Sequence, residues 1–127
     1  HRILESLLVK AIIYHNPRCS KSRQTLALLE ARGLDVDVVE YLRQTPDTAT
    51  LRRLMEALGI PARDLLRRHE AVYATLDLET RLDDDAAVLD AIASHPVLLE
   101  RPIVQVGARA AFGRPPERVL ALLDGAA

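Results

Sequence analysis

Between Lys10 and Glu40 the hydrophobic period changes twice, and this restricts the chain more than any other feature. "LLVKAIIYH" is apolar, ends in β-branched residues and stops at Asn16-Pro17. That pattern predicts a buried strand over about residues 10–14. "SKSRQTLALLEARG" then places Leu26, Leu28 and Leu29 at helical spacing and closes on Gly33. "DVDVVEYL" alternates, which predicts a second strand at about 36–40. A strand, a helix and a strand in this order form a right-handed crossover with the two strands parallel.

The middle of the chain reads as helical. "TPDTATLRRLMEALG" opens on Pro-Asp, carries an apolar face at Leu51, Leu54, Met55 and Leu58, and ends at Gly59. "IPARDLLRRHEAVYATLDL" suits one or two short helices. "LDDDAAVLDAIASHP" predicts another, with acids in its first turn and a stop at Pro96. The pattern then changes again. "RPIVQVGARAAFGRPPE" holds two short apolar runs split by Gly107, a hairpin signature, and "PPERVLALL" predicts a last helix. The order βαβ, helical insert, ββα specifies an α/β fold with a four-stranded mixed sheet, the element order of a thioredoxin-like protein.

Charge and cysteine content narrow the function classes. The 127 residues carry 17 basic and 18 acidic side chains, a formal net charge of −1, which argues against broad attraction to nucleic acid or membrane. No apolar run is long enough to span a bilayer. One cysteine excludes an internal disulfide and, with no signal-like segment, favours a reducing cytoplasm. Residues 1–9 read as an N-terminal extension or an appended remnant, and 10–127 as one domain. A monomer is the expected state.

The single cysteine, Cys19, falls where the first strand hands over to the first helix. Open α/β sheets bind ligands at that edge. The first N–H groups of a helix lack intrahelical partners and carry partial positive charge, so they stabilise a thiolate and cradle an anion. A thiol there is expected below the free value of roughly 8.5. Ser22, at Cys-x-x-Ser spacing, is either a donor to the sulfur or a plain first-turn polar residue. His15 either helps set the thiolate or satisfies backbone groups at the strand end. With no cysteine at position 22, no local disulfide forms and reduction requires an outside thiol. Cys19 has no Cys or His partner at zinc spacing, and no glycine-rich nucleotide loop is present. No bound cofactor or metal is expected.

"IYHNPRCSKSRQTL" resembles the active-site segment of the glutaredoxin-dependent arsenate reductase family. The resemblance continues through "LLRRHEAVY", "HPVLLERPIV" and "GRPPERVLALL", and is closest in kind to the compact bacterial branch. It implies a thioredoxin-like fold with an inserted helical region. It also implies that Cys19 attacks arsenate, that glutathione serves as co-substrate, and that glutaredoxin resolves the mixed disulfide. The family's three oxyanion arginines fall on Arg67, Arg101 and Arg114, with Arg67 rather than Arg68 in the register of "LLR". His15 and Ser22 occupy its supporting positions. Thioredoxin-like proteins often carry a cis-proline where Pro102 stands.

Two other readings remain open on the sequence. One is a thiol-redox protein of this fold acting on another oxyanion or a glutathionylated substrate. The other is a non-enzymatic regulator that binds RNA polymerase, as a related family of the same fold does. The filled arginine positions favour the reductase over the first. The missing Cys-x-x-Cys switch weighs against the second.

Overall fold

A computed structural model describes residues 9–123. The expected N-terminal extension therefore lies, apart from Val9, outside the described residues. The chain divides into two compact units, one running through Glu40 and resuming at Arg101, the other comprising Tyr41–Glu100.

The first unit holds the sheet. Strands β1 (Lys10–His15), β2 (Asp35–Glu40), β3 (Ile103–Val106) and β4 (Arg109–Phe112) lie in the order β2-β1-β3-β4. β1 pairs parallel with β2, Ile13 opposite Val38, and antiparallel with β3, Ile13 opposite Val104. The parallel pair is the crossover expected from the first two apolar runs. β3 and β4 form the expected hairpin, Val106 opposite Arg109, with Gly107 in its turn at φ 60°. Between β1 and β2 runs helix α1 (Ser20–Ala31), ended by Gly33 at φ 72°. Only glycine takes that left-handed conformation without steric penalty.

The core of this unit joins Ala11, Ile13, Leu29, Val104, Val119 and Leu122. The α1 stripe facing it differs from the leucine face expected of this helix. Its fully covered residues are Ser22, Thr25 and Leu29, while Leu26 and Leu28 are half-buried. Small hydroxyl residues thus occupy the first two turns of the buried stripe.

The final segment also differs from expectation. Pro116–Leu122 is a 3-10 helix, not an α-helix. Its buried residues, Pro116, Val119 and Leu122, recur every three positions and line one edge of a three-residue turn. An α-helix would fan the same residues over a wider arc.

The second unit is built on α2 (Thr48–Leu58), α3 (Ala71–Thr75) and α4 (Asp85–Ser94), joined by 3-10 turns. Asp47 caps α2 by accepting from Thr50 N at 2.8 Å, and Asp84 caps α4 by accepting from Ala87 N at 3.1 Å. Leu51, Leu54, Leu65, Leu89, Ile92 and Leu98 are fully buried. Leu66 and Leu99 form an isolated antiparallel bridge, flanked by Arg67 N donating to Leu98 O at 2.8 Å. No helix among the described residues is long and apolar enough to cross a membrane.

Candidate active site

Cys19 is the N-cap of α1, with extended backbone (φ −96°, ψ 121°). Its own N–H is held by Asn16 O at 3.0 Å, and Asn16 Oδ1 accepts from Arg18 N at 3.0 Å. Arg23, one turn into the helix, donates from Nη1 to Pro17 O at 2.9 Å. The loop from Asn16 to Cys19 is therefore tied at both ends. The sulfur is largely covered, at 8% residue exposure.

Four groups act on that sulfur. Burial pushes the thiol pKa up, since a thiolate loses water there. The Ser22 N–H, the Arg101 charge, the Arg114 guanidinium and the Lys21 N–H oppose it and together hold the thiol below its ordinary value. Arg114 Nη1 donates to Sγ at 3.8 Å and to the Arg101 carbonyl at 2.9 Å. The peptide bonds Arg101–Pro102 and Arg114–Pro115 are both cis.

Ser22 has a different contact from the sulfur bond considered on sequence grounds. Its hydroxyl is engaged by His15 Nδ1 at 2.6 Å and accepts from Asn16 N at 3.0 Å. Its backbone N–H, not its hydroxyl, is the group that favours the thiolate. His15 is 5% exposed and closes the end of β1. Burial pushes its pKa down; Glu40 and Glu30 pull upward, Arg23 pushes downward, and the net value lies below that of an ordinary histidine. Burial thus favours the neutral ring over the charged one.

The structure brings Cys19, Arg101 and Arg114 together and pairs His15 with Ser22 beside them. Arg67 belongs to the second unit. There its Nη1 is bonded to Glu70 Oε2, its Nη2 meets His69 Nε2 at 2.9 Å, and its Nε faces Glu100 Oε1 at 3.9 Å. That Nε is buried and makes no hydrogen bond among the described residues. The other units of basic charge near the cysteine, Arg18, Lys21 and Arg23, are exposed.

Asn16 is a site residue that residue types alone did not single out. Its only sequence signal is its place ahead of Pro17, where Asn commonly organises a turn. Among the described residues no group of three or more His, Cys, Asp or Glu side chains could hold a metal ion.

A thiol held toward its anionic form, facing helix N–H groups and two guanidinium groups, can attack an electrophilic oxyanion and bind its oxygens at once. Known proteins resemble this chain along most of its length. The model of the ArsC family matches residues 14–122. An arsenate reductase of Neisseria meningitidis serogroup A is 48% identical over 112 residues, covering 87% of this chain and 96% of the relative. An uncharacterised protein of Escherichia coli K12, YfgD, is 47% identical over 112 residues, covering 87% and 94%. The solved arsenate reductase of Vibrio cholerae superposes with a TM-score of 0.86 at 45% identity, covering 90% of this chain and 98% of that one. This likeness bears out the expected thioredoxin-like α/β architecture, and with the match along nearly all of the described residues it establishes that the chain belongs to the ArsC family.

Proposed function

We propose that the protein reduces arsenate to arsenite, with Cys19 as nucleophile and glutathione and glutaredoxin as electron source. The observation that carries this reading is the contact of Arg114 Nη1 with Cys19 Sγ at 3.8 Å at the N-cap of α1. It joins a cation, an anion cradle and a thiolate at one point. The arsenate reductases among the relatives support the choice of oxyanion.

In the proposed reaction the Cys19 thiolate attacks arsenic(V), an arsenate oxygen leaves as water after protonation, and an S–As bond forms. Arg101 and Arg114 neutralise the oxyanion and the charge gathering on the departing oxygen. The resemblance implies an oxyanion role for Arg67 as well. A glutathione thiolate then attacks the Cys19 sulfur. The S–As electron pair stays on arsenic, which leaves as arsenite, and a Cys19–glutathione disulfide remains. The two thiols have lost the two electrons that arsenic gained. Glutaredoxin takes the glutathionyl group and restores the thiol. With one cysteine in the chain, this outside thiol completes the cycle; a reducing cytoplasm and a monomeric state are part of the same proposal.

The test couples NADPH oxidation to glutathione reductase, glutathione and glutaredoxin, with and without arsenate, for the wild type and Cys19→Ser. Arsenate-dependent oxidation abolished by the substitution supports the reading. No arsenate response with any thiol donor would end it.

A further inference from the structure

Among the described residues the buried polar side chains are His15, Ser22 and Thr25. His15 and Ser22 serve each other and Asn16. Thr25 has no such part in the loop around Cys19, yet it is fully buried one turn beyond Ser22. Its hydroxyl donates to Lys21 O at 2.7 Å within α1 and also lies 3.4 Å from Gly113 O, a residue 88 positions away. Gly113 stands immediately before Arg114.

Gly113 is a glycine for want of space, not for its backbone angles. Unlike Gly33, Gly59 and Gly107, it has no positive φ. A Cβ at Gly113 would collide with Thr25 Oγ1, lie 3.0 Å from Thr25 Cγ2 and lie 2.8 Å from Pro102 Cγ. The Gly113 N–H donates to Pro102 O at 3.0 Å. One residue thus touches the helix that carries Cys19, the proline after Arg101, and its own neighbour Arg114. Backbone approach this close leaves the segment little room to shift without a clash.

The geometry points to Gly113 and Thr25 as positioning residues that seat the Arg101 and Arg114 segments against the first turns of α1, so that both guanidinium groups meet Cys19. A methyl group at Gly113 pushes the 113–115 segment away from α1. Arg114 then loses its reach to Sγ and to the Arg101 carbonyl. Thr25 acts by the shape and hydroxyl it presents to Gly113. Neither residue touches the sulfur. This inference deepens the reductase reading by naming what aims its arginines, but its readout needs no arsenate.

The experiment follows the pH dependence of iodoacetamide alkylation of Cys19 in the full-length protein. The midpoint is the quantity to read, because a thiolate of higher pKa is intrinsically more nucleophilic and blurs a single-pH rate. The variants are Gly113→Ala, Gly113→Ala/Thr25→Ala, Arg114→Ala and Gly113→Ala/Arg114→Ala. Gly113→Ala is expected to move the midpoint upward, in the direction of Arg114→Ala. Adding Thr25→Ala removes two of the three crowding atoms and is expected to return the midpoint toward wild type. In the Arg114→Ala background Gly113→Ala should add less than it does alone.

A folded Gly113→Ala protein with the wild-type midpoint would overturn the proposal. So would an equal shift with and without Arg114. If Gly113→Ala alone does not fold, the double variant with Thr25→Ala decides. A folded double variant with a near-wild-type midpoint supports Thr25 as the obstacle, and failure of both to fold overturns it. A protein inactive on arsenate but obeying this pattern would sink the reductase reading and leave the positioning role standing.

Discussion

The hydroxyl of Ser22 lies 2.6 Å from His15 Nδ1 and accepts the Asn16 N–H at 3.0 Å, so one buried oxygen ties the end of β1 to the first turn of α1. Cys19 sits between the two tied points. The sulfur's position relative to the helix N–H groups thus depends on a side chain that does not bond to it.

Ser22→Ala is expected to destabilise the fold by about 1–3 kcal/mol, because the half-buried Asn16 N–H and the buried His15 ring each lose a partner. Urea denaturation at neutral pH measures this. A cost near zero would mean that water replaces the hydroxyl without penalty.

His15 should make stability depend on acidity. Burial, reinforced by the Arg23 charge, holds the folded ring's pKa below that of the unfolded chain, against a weaker upward pull from Glu40 and Glu30. Between the two values the unfolded state binds more protons, so stability rises with pH. The contribution of the neutral ring is complete above about pH 6.5 and is lost as pH falls through the folded value. His15→Asn places an amide near the Nδ1 position and binds no proton. Its unfolding free energy, measured from about pH 5 to 7.5, should fall less on acidification than that of the wild type. Equal slopes would rule out His15 as the source.

Arg114→Ala removes the side-chain hydrogen bond to the sulfur and leaves the burial of Cys19 less opposed. The alkylation midpoint should rise. Arsenate kcat/KM should drop about 10²-fold, the usual consequence of losing one preorganised oxyanion donor. Arg114→Lys keeps the charge without the planar fork and should recover the thiol midpoint better than the arsenate rate. Recovery of both together would argue that charge alone matters.

Arg67→Ala tests the oxyanion role that the family resemblance implies for this residue. The charges that act on Cys19 are those of Arg101 and Arg114, so the alkylation midpoint should stay in place. If Arg67 is an arsenate ligand, the arsenate KM should rise about tenfold or more, the equivalent of one charge-assisted hydrogen bond. An unchanged KM would confine Arg67 to its ion pairs with Glu70 and Glu100.

Periodicity made much of the architecture legible. The runs ending at Tyr14 and Glu40 identified the parallel pair, Gly107 identified the hairpin, and Leu51, Leu54 and Met55 identified the buried face of α2. Placement at a strand-to-helix junction was enough to single out Cys19, and the family motifs led to Arg101 and Arg114. What escaped was the polar half of the α1 stripe. Ser22, Thr25 and Leu29 follow helical spacing, but a search for apolar residues passes over two of the three. The Ser22–His15 bond and the Thr25–Gly113 contact bridge 7 and 88 residues through single atoms. No hydrophobic pattern carries such contacts. The last segment reads as an α-helix because Val119 and Leu122 suit either kind of helix. The tighter winding shows in main-chain bonds three residues apart, Arg118 N to Pro115 O and Leu123 N to Leu120 O.

That tighter winding keeps its contacts in triplets. Each residue of a 3-10 helix turns the chain by about 120°, so a stripe at Pro116, Val119 and Leu122 is a register with a step of three. Inserting or deleting one residue between Pro116 and Val119 would swing Val119 and Leu122 a third of a turn off the sheet, whatever the inserted residue's chemistry. A change of three would bring them back. Length variation in this segment is therefore governed by counting before composition.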